Sequence, residues 1–394
     1  MSGMTEKIKA CGEKYRDYLI EMRRYFHQHP ELSLKEEETG KKIKEELESF
    51  GIPCRHVGTP CSNGVVGTIE GSRPGRTIML RADMDALPIT EETGYSFTSA
   101  NEGIMHACGH DCHIAILLTA ARILQDLREE LAGTVRIVFQ PAEEIGRGAG
   151  MMIADGVLEG VDACYASHVW ATLPAGTIAV DPGSVMAAGS KFEIFVKGVS
   201  GHGAEPHKSV DPLLTTAAIA MNLQSIVSRE IDTQEASVLT IGHMESGSAF
   251  NIIPAEGYME GTTRTFSRAV DDAWADMIRR VAENTAAAYR AKAEMKYTYL
   301  LGPVVNDEEM TELVRGSVCK VGGEALLGHM KPTPVAEDFS EYQKRIPGVM
   351  AFVGVGNADC DAVYPQHSCH YKVDETALLN GALVYAQVAA DFLG

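Results

Sequence analysis

The fully apolar run Val349–Val355 can be covered on both faces only within a layered α/β sheet, yet the strand-like runs that would share such a sheet lie far upstream. Those runs are Val65–Ile69, Thr77–Arg81 and Thr134–Phe139, with a helical stretch Ile114–Leu127 between the last two. Strand, helix and strand at this spacing predict a βαβ unit, and so a mixed, largely parallel sheet. Further strand patterns follow at Ala163–Val169 and Gly176–Val180, and helices are predicted over Tyr15–His27 and Gly40–Phe50.

What separates Val349–Val355 from its partners has a different pattern. Pro182–Gly189 is a small-residue stretch suited to a linker, and Lys191–Lys197 then alternates apolar and polar residues, as a strand with one wet face does. A helix from Asp211 to Ser228 opens with proline in its favoured first position. Strands Ala236–His243 and Ala255–Thr265, a helix Val270–Ala291 and a strand Ala293–Leu300 complete a βαββαβ order. The expected fold is therefore α/β. One domain is made of residues 1–185 and 304–394, interrupted by a ferredoxin-like α+β domain over 186–303.

With 54 acidic against 35 basic residues, the net charge is −19. Such a chain repels phosphate backbones and anionic lipid, which argues against nucleic-acid and membrane partners. The first residues are charged and lack the apolar core of a secretory signal, and the apolar stretch Ile114–Leu124 is too short to span a bilayer. Nine cysteines, an odd number, read as reduced thiols, and the expected location is the cytoplasm.

Residues able to carry chemistry gather at strand and helix ends. In His106-Ala-Cys108-Gly-His110-Asp111-Cys112-His113 a thiolate and an imidazole across a glycine can turn toward one metal ion. After Gln140-Pro141, where proline ends the ladder, Glu143 and Glu144 can adopt a turn; one could ligate metal while the other takes a proton from water. His168 closes a buried strand, Asp83 and Asp85 share one side at i, i+2 spacing, and His367-Ser-Cys369-His370 stands near the C-terminus. In the inserted segment His202 is flanked by glycines, and Asn251 and Arg264 are the other polar candidates. Each has an ordinary alternative: a core histidine beside Trp170, a solvated Glu-Glu loop, a capping asparagine, a surface ion pair. Gly146-Arg-Gly148-Ala-Gly150 fails as a dinucleotide loop because position 151 is methionine. A Cys108–His110 thiol amidase would leave Glu143, Glu144 and His168 unused.

Taken in order, Phe26–Ser33, Arg81–Pro88, Met105–Asp111, Gln140–Glu144, Gly201–His207 and Asn251–Pro254 resemble the M20 metallopeptidases. The closer likeness is to their amidohydrolase branch of hippurate, N-acyl-amino-acid and indole-acetyl-amino-acid hydrolases. The resemblance runs from Arg23 to Glu375. It implies two divalent ions per subunit, Mn or Zn foremost and Ni or Co as alternatives, held by Cys108, His110, Glu144, His168 and His367. Glu143 would be the general base and Asp85 an orienting carboxylate behind the ligands. His202, Asn251 and Arg264, on a lid that often dimerises, would meet the substrate carboxylate or oxyanion.

The implied substrate is an N-acyl amino acid. A carboxypeptidase or dipeptidase of the same fold, or a binding protein that keeps the fold without turnover, are the alternatives. Two departures stand out. Asp83-Met84-Asp85 replaces the wider group's His-x-Asp, as it does throughout the amidohydrolase branch, and Cys369-His370 leaves the last ligand open between His367 and His370.

Overall fold

The computed structural model describes residues 2–394, in two compact units. The first runs to Gly183 and takes in Val305–Lys331 and Asp338–Gly394; the second comprises Ser184–Val304 with Pro332–Glu337. Pro332–Glu337, which the sequence reading placed with the returning part of the catalytic domain, packs with the second unit instead.

The first unit is built on an eight-stranded mixed sheet. Its order is Cys54–Val57, Gly64–Glu70, Ala132–Gln140, Arg73–Asp83, Ala163–Pro174, Gly348–Gly356, Ile178–Ala179 and Leu327–Gly328. The four central strands are parallel, and antiparallel neighbours flank them. Gly348–Gly356 joins this sheet between Ala163–Pro174 and Ile178–Ala179, with Phe352 opposite His168. The parallel pair Arg73–Asp83 and Ala132–Gln140 needs a crossover, and the helix His110–Asp126 supplies it. That helix starts four residues before the apolar pattern does. Gly109 precedes it with φ 95°, and a side chain there would run into Val169 and Tyr371. The glycine thus presses the helix start onto the sheet and sets His110 at the ends of the central strands.

Leu378–Leu393 is a longer apolar helix than the sequence reading recognised. With the turn before it, it is long and apolar enough to cross a membrane, but 78% of that stretch is buried within the protein. It belongs to the core, against the His110–Asp126 helix.

The second unit is a four-stranded antiparallel sheet in the order Ser237–Ser246, Glu256–Thr265, Ala188–Lys197, Lys292–Leu301. Phe192, Ile194 and Val196 pack with Leu223 and Trp274 of its two helices, whereas the intervening Phe195 is exposed, as strand alternation requires. Asp211 caps the first helix, accepting from the N–H groups of Leu213 and Leu214.

Candidate metal centre

The ends of the central strands carry the candidate residues. Asp83 ends one strand and Asp85 follows it, Glu143 and Glu144 follow the next, and His168 stands within the third, which runs on to Pro174 and does not close at His168 as the sequence pattern implies. Cys108 and His110 arrive at the helix start, and His367 on a loop near the C-terminus. His110 Nε2 has no hydrogen-bond partner; it lies 3.7 Å from Asp83 Oδ1, 3.8 Å from Glu144 Oε1 and 4.0 Å from Glu143 Oε2. Cys108 Sγ is 3.5 Å from His168 Nε2, and His367 Nε2 is 3.6 Å from Glu144 Oε2. Cys108, His110 and His168 form one convergent trio and Cys108, Glu144 and His367 another, each within 4.8 Å.

These separations suit ligands around a cation: bonds of about 2.0–2.3 Å in a tetrahedral shell leave donor atoms roughly 3.3–3.8 Å apart. Glu144 Oε1, like His110 Nε2, is buried without a hydrogen-bond partner. Sulfur, nitrogen and oxygen donors together match a borderline divalent ion. The residues present fit a metal.

Backbone groups set the direction of each ring. His168 Nδ1–H donates to the Val169 carbonyl at 2.7 Å, which leaves the Nε2 lone pair facing Cys108. His113 is different. Its Nε2 accepts from the Val169 N–H at 2.8 Å, so Nδ1 carries the proton and donates to Asp83 Oδ1 at 2.5 Å. Both His113 nitrogens are committed, and the ring braces Asp83. His370 points elsewhere, toward Glu92, and only His367 meets Glu144.

The electrostatics show a site overloaded with negative charge. Burial pushes the Cys108 thiol well up, and the Glu144, Glu143 and Asp83 carboxylates push it further. Burial lifts Glu144 to about 7 against the pull of His110, with Asp85 adding to the rise. Burial alone would lower His110, but Asp83 and then Asp85 carry it up to about 10. The cluster therefore holds on to protons where it lacks a cation.

The turn bearing Glu143 and Glu144 is braced from behind. Asp85 Oδ1 and Oδ2 accept from the N–H groups of Glu143 and Glu144, each at 3.1 Å, and Ser33 Oγ donates to Asp85 Oδ2 at 2.6 Å. Ala142 sits in the left-handed region at φ 57°, and its N–H donates to Glu36 Oε1 at 2.9 Å. Gly148 lies so close to the Pro141 carbonyl that no side chain fits there. Two residues of the second helix, Arg16–Gln28, act one residue beyond His110: Arg23 Nε and His27 Nδ1 lie 3.0 and 2.7 Å from Asp111 Oδ2.

Glu36, buried and absent from the sequence expectations, yields a pH prediction. Burial, then Asp85, raises its carboxyl to about 7 from an ordinary 4.5, so the folded state binds a proton that the unfolded chain has shed. Stability therefore falls as pH rises from about 4.5 to 7 and is level above. Glu36→Gln keeps an acceptor for Ala142 and is expected to remove this slope, stabilising the protein at pH 8 by on the order of 2–3 kcal/mol. Urea unfolding of parent and variant at pH 5 and pH 8 checks it; parallel curves at both values would refute it.

In the second unit, His202 and Asn251 come together on a two-stranded ribbon. Ile252 pairs with His202, the Gly203 N–H donates to the Asn251 carbonyl at 2.9 Å, and His202 Nδ1 accepts from the Ala204 N–H at 3.0 Å. Arg264 stands apart on the four-stranded sheet, where its Nη1 donates to Thr262 Oγ1 at 2.5 Å and to the Thr263 carbonyl at 2.8 Å.

Strand ends that gather so much buried charge weaken the fold unless they serve chemistry, and their donor set suits divalent cations. Residues 79–391 match the model of peptidase family M20/M25/M40, and the chain belongs to that family, as a hydrolase acting on carbon–nitrogen bonds. It is 41% identical over 371 residues to the N-acetylcysteine deacetylase of Bacillus subtilis, covering 94% of this chain and 96% of that one. It is 38% identical over 393 residues to thermostable carboxypeptidase 1 of Saccharolobus solfataricus, covering 99% of each. Among solved structures it matches a dinuclear metal-binding peptidase of the M20 family from Bacillus subtilis, with TM-score 0.86 and 38% identity, over 97% of this chain and 99% of that one.

Proposed function

We propose that the protein hydrolyses the amide bond of N-acyl amino acids, with two divalent ions held by Cys108, His110, Glu144, His168 and His367. The observation that carries this reading is the paired Glu143 and Glu144. Asp85 holds both backbone N–H groups of the turn, Glu144 faces His367, and Glu143 Oε2 lies at the rim of the cluster, 4.0 Å from His110 Nε2. Bound cations supply the positive charge that polarises the amide carbonyl and acidifies water. Glu143 takes the proton of the attacking water and delivers it to the leaving amine nitrogen. His202 and Asn251 stabilise the developing oxyanion, and Arg264, its fork aimed by Thr262 and Thr263, pairs with the substrate carboxylate.

A panel varying the acyl group and the amino acid separately tests the substrate class. Amine release from N-acyl amino acids, with dipeptides turned over at least tenfold more slowly, is the expected result. The reverse order would favour the carboxypeptidase or dipeptidase reading, which the Saccharolobus relative supports. Thiolate and imidazole ligands favour Zn and the carboxylate suits Mn, with Ni and Co acceptable to the same set. Elemental analysis is expected to find two ions per fully active chain, and fewer than one would refute the two-ion centre. A thiol ligand needs a reducing compartment, which supports a cytoplasmic protein. For the homodimer, the second unit offers the edge strand Lys292–Leu301, with Tyr299 and Leu300 exposed.

A further inference from the structure

The loop that brings His367 to the centre carries a second set of donors facing away from it. A carbonyl oxygen can only accept, so the 3.0 Å contact between His370 Nδ1 and the Glu92 carbonyl places the ring proton on Nδ1. His370 Nε2 lies on the other side of the ring, 3.5 Å from Glu92 Oε2. The Glu92 N–H donates to the Cys369 carbonyl at 2.8 Å, which pins the two segments together. Cys369 Sγ, a His370 ring nitrogen and a Glu92 carboxylate oxygen lie within 4.8 Å of one another.

From this geometry we infer that Glu92, Cys369 and His370 form a further metal site, separate from the catalytic pair, for a borderline or soft divalent cation such as Zn²⁺ or Cd²⁺. Thiolate, imidazole and carboxylate are the donors these ions take, and three of them leave a fourth position open to solvent. Glu92 is 60% and His370 42% exposed at the side chain, so a cation can reach the site from solvent. The orienting bond from Nδ1–H to a backbone carbonyl is the one that aims His168 in the centre. A simple His370–Glu92 ion pair would explain the imidazole and the carboxylate but gives the adjacent thiol nothing to do. Because Cys369 is two residues from His367, a cation held there ties the segment at Glu92 to the loop that completes the catalytic centre.

The test is a Cd²⁺ titration of the metal-loaded enzyme, followed by ultraviolet cadmium–thiolate absorption and by elemental analysis after free metal is removed. One additional equivalent is expected, with a thiolate band, while the ions of the centre stay in place. Cys369→Ser is expected to abolish both the band and the extra equivalent. His370→Ala should weaken the added site at least tenfold. Cys369 and His370 are both only partly buried and lie on a loop outside the core, so the variants should keep the parent's circular dichroism and central metal content. The inference is overturned if no extra equivalent binds, if the band survives Cys369→Ser, or if His370→Ala binds as the parent does, which would mark a lone thiol.

Discussion

Glu143→Gln is expected to lower kcat by about 10²–10⁴-fold while metal content, circular dichroism and KM stay close to the parent values. The amide is nearly the size of the carboxylate. The Glu143 main chain remains tied to Asp85 through its N–H, so the turn should keep its shape. What is lost is a group able to take a proton from water. Glu144→Gln should behave differently. Glu144 Oε1 is buried with no hydrogen-bond partner and its Oε2 faces His367, so replacing it removes an anionic donor and should lower metal retention together with rate. Single-turnover kinetics and elemental analysis on both variants separate the roles. If Glu143→Gln keeps most of its activity while Glu144→Gln keeps its metal but loses turnover, the two residues have exchanged roles. If both stay active, the hydrolytic mechanism is wrong.

Periodicity carried most of the fold because each element buries a face that its pattern announces. The continuous apolar strands became the parallel centre of the first sheet, and the alternating Lys191–Lys197 became a strand with Phe195 on its open face. Two boundaries were hidden for local reasons. The His110–Asp126 helix begins with His-Asp-Cys-His, polar residues that carry no helical apolar signal although all are buried. Pro332–Glu337 joins the second unit from within a stretch that belongs to the first, which no local pattern marks.

At the site, spacing pointed to the residues at the tips of the strands but could not show how they are braced. Glu36 lies in an ordinary acidic helix start, and only its burial against Ala142 gives it a function. His113 sits in the same motif as His110, and the Val169 N–H, remote in sequence, is what occupies its Nε2. Arg81 was the overlooked signal. An arginine at the end of a buried apolar strand must be paired, so its presence implied buried acids on other segments.

Arg81→Met should be the most damaging single substitution to stability, costing about 3–5 kcal/mol. The guanidinium is 1% exposed. It donates to Asp83 Oδ2 at 2.6 Å, to Gln140 Oε1 at 3.0 Å and to Asp338 Oδ1 at 3.0 Å. Asp83 and Asp338 are themselves fully buried, so an apolar replacement leaves two carboxylates facing a low-dielectric interior with no nearby guanidinium. Arg81→Lys keeps the charge but not the planar fork that reaches three partners, and should fall between the parent and the methionine variant. Asp338→Asn placed on the Arg81→Met background should restore part of the loss, since the amide can still accept from Ala149 N–H, now 2.9 Å away, without carrying charge. By contrast Lys7→Ala, which breaks the 2.7 Å pair with Glu130 at the exposed surface, should cost less than about 1 kcal/mol. Urea unfolding of the chelated proteins compares these directly and keeps metal affinity out of the measurement. If Arg81→Met unfolds no earlier than Lys7→Ala, the charge cluster under the metal centre does not hold the sheet edge together, and the placement of Asp83 beside His110 must rest on His113 alone.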